Sequence, residues 1–269
     1  MSVGRLFGSL AVIALSGLLL ACPHRIPEPP DALKTPEAVL STMGSRIKIV
    51  KSLAVEARAS YYGDGKARKG TLEIAVERPE SLFFAVLSPT GDMLSVLASD
   101  GRGFTSFERG GSVCVRGCST PDNIARLIPL ALRGVEAVSV LLGVVPLIKS
   151  RNVRLSWSKS EGAYVVTIEG EDSLVQRIWI EHGTGVARRS EVKRGDKVVM
   201  ELSYEKTAKV SGIHLPHRLR VKMAQGNTDL QLDYRDVEVN PATLTKQAFQ
   251  LSCPAGTQVK DLGCPIEGP

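Results

Sequence analysis

The clearest chemistry in the sequence lies in Leu19-Leu20-Ala21-Cys22. A thiol directly behind a small residue, with Leu at the third place before the cut, is the bacterial lipobox pattern. The thiol takes a diacylglyceryl group, and the small residue admits the peptidase. The preceding residues fit a signal peptide: Arg5 gives a positive start, and residues 6–20 are apolar apart from Gly and Ser. That run is short for a spanning helix, which needs ~20 residues. An exported chain cleaved before Cys22 and lipid-attached there is expected. Each buried methylene contributes ~0.8 kcal/mol, so several acyl chains anchor a domain firmly. Pro23 follows the acylated residue, rather than the Asp that commonly signals inner-membrane retention. The expected location is the periplasmic face of the outer membrane.

Four further cysteines, Cys114, Cys118, Cys253 and Cys264, are an even set in an oxidising compartment, which suggests two disulfides. Three pairings are open, and the local one, Cys114–Cys118 with Cys253–Cys264, is favoured. A four-thiolate zinc site is the sharper alternative, but Cys-x3-Cys and Cys-x10-Cys are not usual zinc spacings. No metal is expected.

Catalytic patterns do not rise above chance. Ser-x-x-Lys occurs four times, from Ser45, Ser156, Ser190 and Ser203, without the partner motifs of serine acyl enzymes. There is no Gly-x-Ser-x-Gly elbow and no phosphate-binding glycine loop. Of the histidines, His24 precedes the domain and His182 stands alone. His214 and His217 would face opposite sides of a strand. Arg188, Arg189, Lys193 and Arg194 gather around one hairpin, where they read first as a solvated, protected edge and second as a membrane-surface contact. No catalytic residue and no cofactor are expected, and the chain is not expected to be an enzyme.

The formal net charge is +6, and loss of Arg5 with the signal peptide leaves +5. Acidic headgroups suit this balance better than nucleic acid in that compartment. Few aromatics argue further against a stacking platform for single strands.

The elements that must carry these residues follow from periodicity. Five prolines within residues 23–36 read as an extended spacer. Thr35-Pro36 is a cap followed by Pro at the first helical position, and Val39, Leu40, Met43, Ile47 and Val50 recur at helical spacing. A helix is predicted over about 36–50. From residue 52 the period is two. Leu53, Val55, Ala57, Ala59 and Tyr61 alternate, Gly63-Asp64-Gly65 turns the chain, and Leu72, Ile74 and Val76 alternate again. Residues 81–87 and 93–98 are apolar on both faces and should be covered on both sides. Shorter strands are predicted near 103–107 and 112–116. Thr120-Pro121 opens a second helical stretch, and two short apolar helices should run to Gly143, a good stop. Seven more strands between 155 and 239, parted by turn residues, imply one curved antiparallel sheet or barrel. The divisions expected are 1–21 signal, 22–36 lipidated Cys and spacer, 37–245 main domain and 246–269 a Cys-containing tail.

This order of elements resembles the LolA/LolB-like proteins over about 50–240. Leu87-Ser88-Pro89-Thr90-Gly91-Asp92 is similar to that family's loop between its third and fourth strands. Leu141-Leu142-Gly143-Val144-Val145-Pro146 is similar to its Leu-Gly-x-Pro helix end, with one extra residue. The resemblance implies a mainly β fold with helices (α+β): an open antiparallel half-barrel with an N-terminal helix and two helices plugging the concave face. It also implies an apolar cavity between sheet and helices that binds acyl chains of lipoproteins or lipids, handed over by a periplasmic carrier protein, and no enzymatic activity. Leu82, Phe84, Val86, Leu94 and Val96 would face those chains, and Leu127, Leu130, Val138 and Leu141 would form the lid. Where LolB carries an exposed Leu in its loop for membrane insertion, this chain has Thr90. Met93 or Leu94 nearby would have to serve for membrane or cargo contact. The alternative is a non-catalytic scaffold or sensor that docks a protein partner through the same fold.

Overall fold

A computed structural model describes residues 25–63, 65–125 and 132–264, apart from the side chains of Arg46 and Ala125. The first helix, α1 (Pro36–Arg46), begins where the sequence places it. Thr35 is extended, its hydroxyl accepts from the Ala38 amide at 3.2 Å, and Pro36 occupies the first turn. The helix stops at Arg46 rather than near 50. The Ile47 amide donates to Gly44 O at 3.3 Å and the Lys48 amide to Ser45 O at 3.2 Å, and β1 must start within a few residues.

The strands β1 (Ser52–Gly63), β2 (Lys66–Glu77), β3 (Ser81–Leu87), β4 (Met93–Ser99), β5 (Gly103–Glu108) and β6 (Val113–Cys118) form a meander. Two short helices follow, α2 (Pro121–Ala125) and α3 (Gly134–Leu141). A second meander comprises β7 (Asn152–Ser158), β8 (Ala163–Glu169), β9 (Leu174–Glu181), β10 (Ala187–Arg194), β11 (Lys197–Val210), β12 (Ile213–Met223) and β13 (Thr228–Val239). β13 returns to pair with β1, so both meanders join in one open, curled sheet. It is completed by β14 (Gln258–Asp261), which lies parallel to β6. The strand order is β14-β6-β5-β4-β3-β2-β1-β13-β12-β11-β10-β9-β8-β7.

One face of this sheet carries the core. Residues paired directly across strands share a face, so the registers Val55↔Ile74, Ile74↔Phe84, Ala57↔Tyr234, Leu219↔Leu232 and Val166↔Ile178 trace that side. The α3 residues Val138, Val140 and Leu141 belong to the same buried cluster. Gly143 ends α3 with φ +75, a conformation that costs Gly little, and its amide bonds to Val140 O. Gly185 (φ +66) lets the β9–β10 turn sit on α1, because a Cβ there would lie 3.0 Å from the Thr42 backbone.

The disulfide pairing differs from the local one. The bridges are Cys114–Cys253 and Cys118–Cys264, with Cα separations of 5.7 and 5.1 Å. Cys114 and Cys118 lie four residues apart on β6, about 13 Å along an extended strand. That is beyond disulfide reach, which ends near ~7 Å. The two bridges flank the β14–β6 ladder and sew the tail to the sheet.

The expected spacer is mostly docked. The Ile26 amide donates to Lys159 O at 2.7 Å, the Trp157 indole to Ile26 O at 3.0 Å, and the Leu33 amide to the Tyr164 hydroxyl at 2.8 Å. Ala32 is buried.

Peptide mapping of the oxidised protein is expected to recover Cys114 linked to Cys253 and Cys118 linked to Cys264. Recovery of a Cys114–Cys118 peptide would refute this register. Each bridge closes a loop of well over a hundred residues, so its removal by paired Cys→Ser substitution should cost about 2–5 kcal/mol in denaturant unfolding.

Candidate functional site

The site worth building is the place where α3 and the chain after it cross the core face. A crossing segment brings peptide groups into an apolar interior, and each needs a partner there. Three side chains of the sheet provide them. Tyr234 on β13 donates its hydroxyl to Leu141 O at 3.0 Å. Tyr204 on β11 donates to Val144 O at 3.2 Å. Gln176 on β9 is fully buried, accepting from the Ile148 amide at 3.1 Å and donating to Pro146 O at 2.9 Å and to Ser190 Oγ at 3.1 Å. Burial pushes the Tyr234 phenol well above its ordinary range, so it stays protonated and remains a donor. These three residues latch a strap, residues 141–148, across β9, β11 and β13.

The residues expected to line a cavity divide between the two faces. Leu82, Phe84 and Val86 lie on the core face, paired with Val76, Ile74 and Leu72. Leu82 is fully buried, and Phe84 packs against the core cluster. Val138 and Leu141 are buried on the same side. Val96 is not there, and Leu94 falls at a shift in register between β3 and β4. On β4 the core-face residues are Ser95, Leu97 and Ser99, opposite Val86, Phe84 and Leu82. Val96 pairs instead with Ala85 and Phe107 on the reverse face. A 3-10 turn (Lys246–Phe249) contacts β3 and β4 and buries Phe249 outside the main core. Strands apolar on both faces are thus covered twice, by α3 on one side and the tail on the other. Leu127, Leu130 and Cys22 lie outside the described residues.

The β3–β4 loop is tied down by its own polar atoms. Ser88 Oγ accepts from the Thr90 and Asp92 amides, and Thr90 Oγ1 donates to Asp92 Oδ2 at 3.1 Å. Arg109 donates to Asp92 Oδ1 at 2.7 Å. Hydrogen bonds from Arg109 and Thr90 hold the Asp92 carboxyl below its usual range. Thr90 is therefore a locked polar tip, while Met93 and Leu94 behind it are 44% and 47% exposed. Met93 lines a cleft of about 530 Å³ with Phe107, Pro254 and Ala255, on the reverse face beside the tail.

The histidines assemble no metal centre. Among the described residues no group of three potential ligands meets. His182 stands 3.4 Å from Asp31, and both line a cleft of about 570 Å³ with Thr42, Ile49, Tyr164 and His214. The basic hairpin is mostly neutralised. Arg188 pairs with Glu181 and Arg189 with Glu161, and Arg189 also covers the Trp179 ring at 3.7 Å.

Sequence reasoning missed the latch residues. Gln176 left a usable signal, since it shares strand parity with Ile178 and Ile180 and so stands polar at a buried-face position. Tyr204 and Tyr234 left none, because Tyr is ordinary in a strand core.

A single open, curled sheet of fourteen strands with few helices describes the architecture, and such a fold does not by itself define a function. No protein-family model and no curated protein matches the chain. Solved structures do. A LolA superfamily protein from Nitrosomonas europaea superposes with a TM-score of 0.54 at 15% identity, covering 81% of this chain and 99% of that one. A DUF1329 family protein from Desulfovibrio piger gives 0.55 at 14% identity, covering 80% and 96%. The chain has the LolA/LolB-like fold.

Two measurements check this geometry. Tyr234→Phe should cost about 1 kcal/mol, and Gln176→Leu, which orphans the Ile148 amide and the Pro146 carbonyl, about 2–4 kcal/mol in urea unfolding. Equal, near-zero effects would mean that the strap is not latched. The loop should also respond to acid. Asp92 has a depressed folded pKa, so its stabilising contribution is present above the ordinary Asp value of ~3.9 and is lost as pH falls through the depressed one. Amide exchange at Thr90 and Asp92 should accelerate only at that lower pH.

Proposed function

We propose that this chain is an outer-membrane lipoprotein, anchored through Cys22, whose LolB-like domain binds acyl chains of lipoproteins or lipids between the core face and α3. The observation that carries the reading is the placement of α3 and its strap over an apolar sheet face within a LolA/LolB-like fold. Leu82, Phe84 and Val86 on the sheet and Val138 and Leu141 on α3 are the described residues that would meet a chain there. Val96, on the reverse face, has no part in that site.

Binding requires room. With Leu82, Val138 and Leu141 all buried, an acyl chain enters only as α3 lifts. The latch concentrates at the C-terminal end of α3, which makes that end the fixed one. Attachment would rest on the lipid at Cys22. A periplasmic carrier would deliver cargo, and no catalytic step is involved.

The closed packing of α3 supports a second reading, a scaffold or sensor that binds a protein partner and never opens. The test separates the two. The Cys22→Ser domain is incubated with radiolabelled palmitate and with a radiolabelled lipoprotein. Saturable, displaceable uptake at one equivalent, lost on Val138→Asp, is expected. Absence of uptake under all conditions, with a protein partner retained, would leave the scaffold reading.

A further inference from the structure

We propose that one rim of the sheet, carrying Lys48-Ile49-Val50-Lys51 and the β7–β8, β9–β10 and β11–β12 turns, is a contact surface for phospholipid. This rests on the anchor reading of Cys22 and adds an orientation to it.

Strand direction defines the rim. β1 leaves it at Ser52, and the antiparallel ladder returns the chain to it at 159–162, 182–186 and 211–212. The hairpins at 88–92, 195–196 and 224–227 lie at the other end. Contact across the rim is real: Asp31, Thr42, Ile49, His182 and His214 line one cleft. At the far end Tyr62, Val199, Lys222 and Asn227 line another.

The docked segment fixes which end meets the bilayer. Ile26 is hydrogen-bonded to Lys159 and Trp157 at the near rim. From Cys22 to Ile26 the chain spans at most about 14 Å, at ~3.6 Å per residue. The 6–14 residues of the strands between the rims cover about 20–46 Å at ~3.3 Å each. While residues 26–33 stay docked, the near rim lies at the membrane and the β3–β4 loop points away from it.

The rim has the chemistry of such a contact. Ile49 is 63% exposed, the most exposed large apolar side chain among the described residues. Lys48 and Lys51 flank it, Lys159 stands on the β7–β8 turn and Lys209 near the end of β11, all exposed. None of the four enters an ion pair among the described residues, and neither does Glu77, which lies opposite Ser52, whereas several acids of the other turns do. Glu161 and Glu181 are held by Arg189 and Arg188, Glu28 by Lys34, and Asp31 stands beside His182. The rim therefore offers an exposed apolar side chain among four unpaired lysines and an unpaired acid, Glu77, which suits anionic headgroups over an acyl layer.

The test uses the full lipidated protein in vesicles of phosphatidylethanolamine and phosphatidylglycerol containing a brominated lipid. An environment-sensitive fluorophore is placed at Ile49→Cys or, separately, at Tyr62→Cys. Strong quenching and a blue shift at 49, with neither at 62, are expected. Lys48→Glu with Lys51→Glu should reduce the quenching at 49 severalfold. Quenching at 62 in place of 49, or at neither site, overturns the proposal. Flotation of the wild-type chain with vesicles, and its loss in Cys22→Ser, reports the anchor separately. A chain that floats without quenching at 49 refutes the orientation alone, and a chain that fails to float refutes the anchor.

Discussion

A peptide segment laid across an apolar sheet face must find hydrogen-bond partners for its backbone there, and this requirement organises the interior. Leu141 O, Val144 O, Pro146 O and the Ile148 amide would each cost about 1–3 kcal/mol if buried unpaired. Tyr234, Tyr204 and Gln176 meet all four. They come from three strands far apart in sequence, so the strap reads the curl of the sheet. Only when β9, β11 and β13 are correctly arranged do their polar tips coincide with its carbonyls. The latch thus ties the position of α3 to the second meander, while α3 itself packs against β2 and β3 of the first.

An open sheet leaves two edges, each a template for unwanted pairing. The tail covers one of them, and residue 26 is tied to the end of the other. Beside β7, the Ile26 amide takes Lys159 O, and Trp157 turns back to hold Ile26. Beside β6, the tail adds β14 in parallel, and the two disulfides lock it. The edge then passes to β14, a four-residue strand whose side chains are all exposed and include Lys260 and Asp261. Its shortness and charge discourage further growth. The tail thus completes the sheet beside β6, while β7 stays its outermost strand on the other side.

What the sequence made legible was local. The Thr35-Pro36 start, the alternation of β1 and β8 and the Gly143 stop depend on neighbours within a few residues, and they stand where periodicity put them. The joining of all strands in one curled sheet followed from their number and spacing. What stayed hidden was long-range. The cysteine partners lie 139 and 146 residues apart, and nothing in a local pattern selects a partner at that distance. β14 shows no alternation of burial because it lies exposed at an edge. In the candidate site, Leu82, Phe84, Val86, Val138 and Leu141 were legible as apolar, but the latch that fixes their geometry was not.

The mixed result on β3 and β4 has a physical reason that bears on binding. Period-two alternation tells faces apart only when one face is polar. Where both are apolar, as in Ser81–Leu87, parity carries no label, and a list of greasy residues merges two surfaces. The register separates them again. Leu82 and Phe84 address α3, while Ala85 and Val96 lie on the side where Phe249 and the tail disulfides close over the sheet. On the reverse side the tail is tied covalently to β6 just after the turn that buries Phe249. The α3 side is held by hydrogen bonds concentrated at one end of the helix. If either cover moves to admit a ligand, the cheaper motion is that of α3, which is why the proposed acyl site is set on the face that Leu82 and Phe84 share.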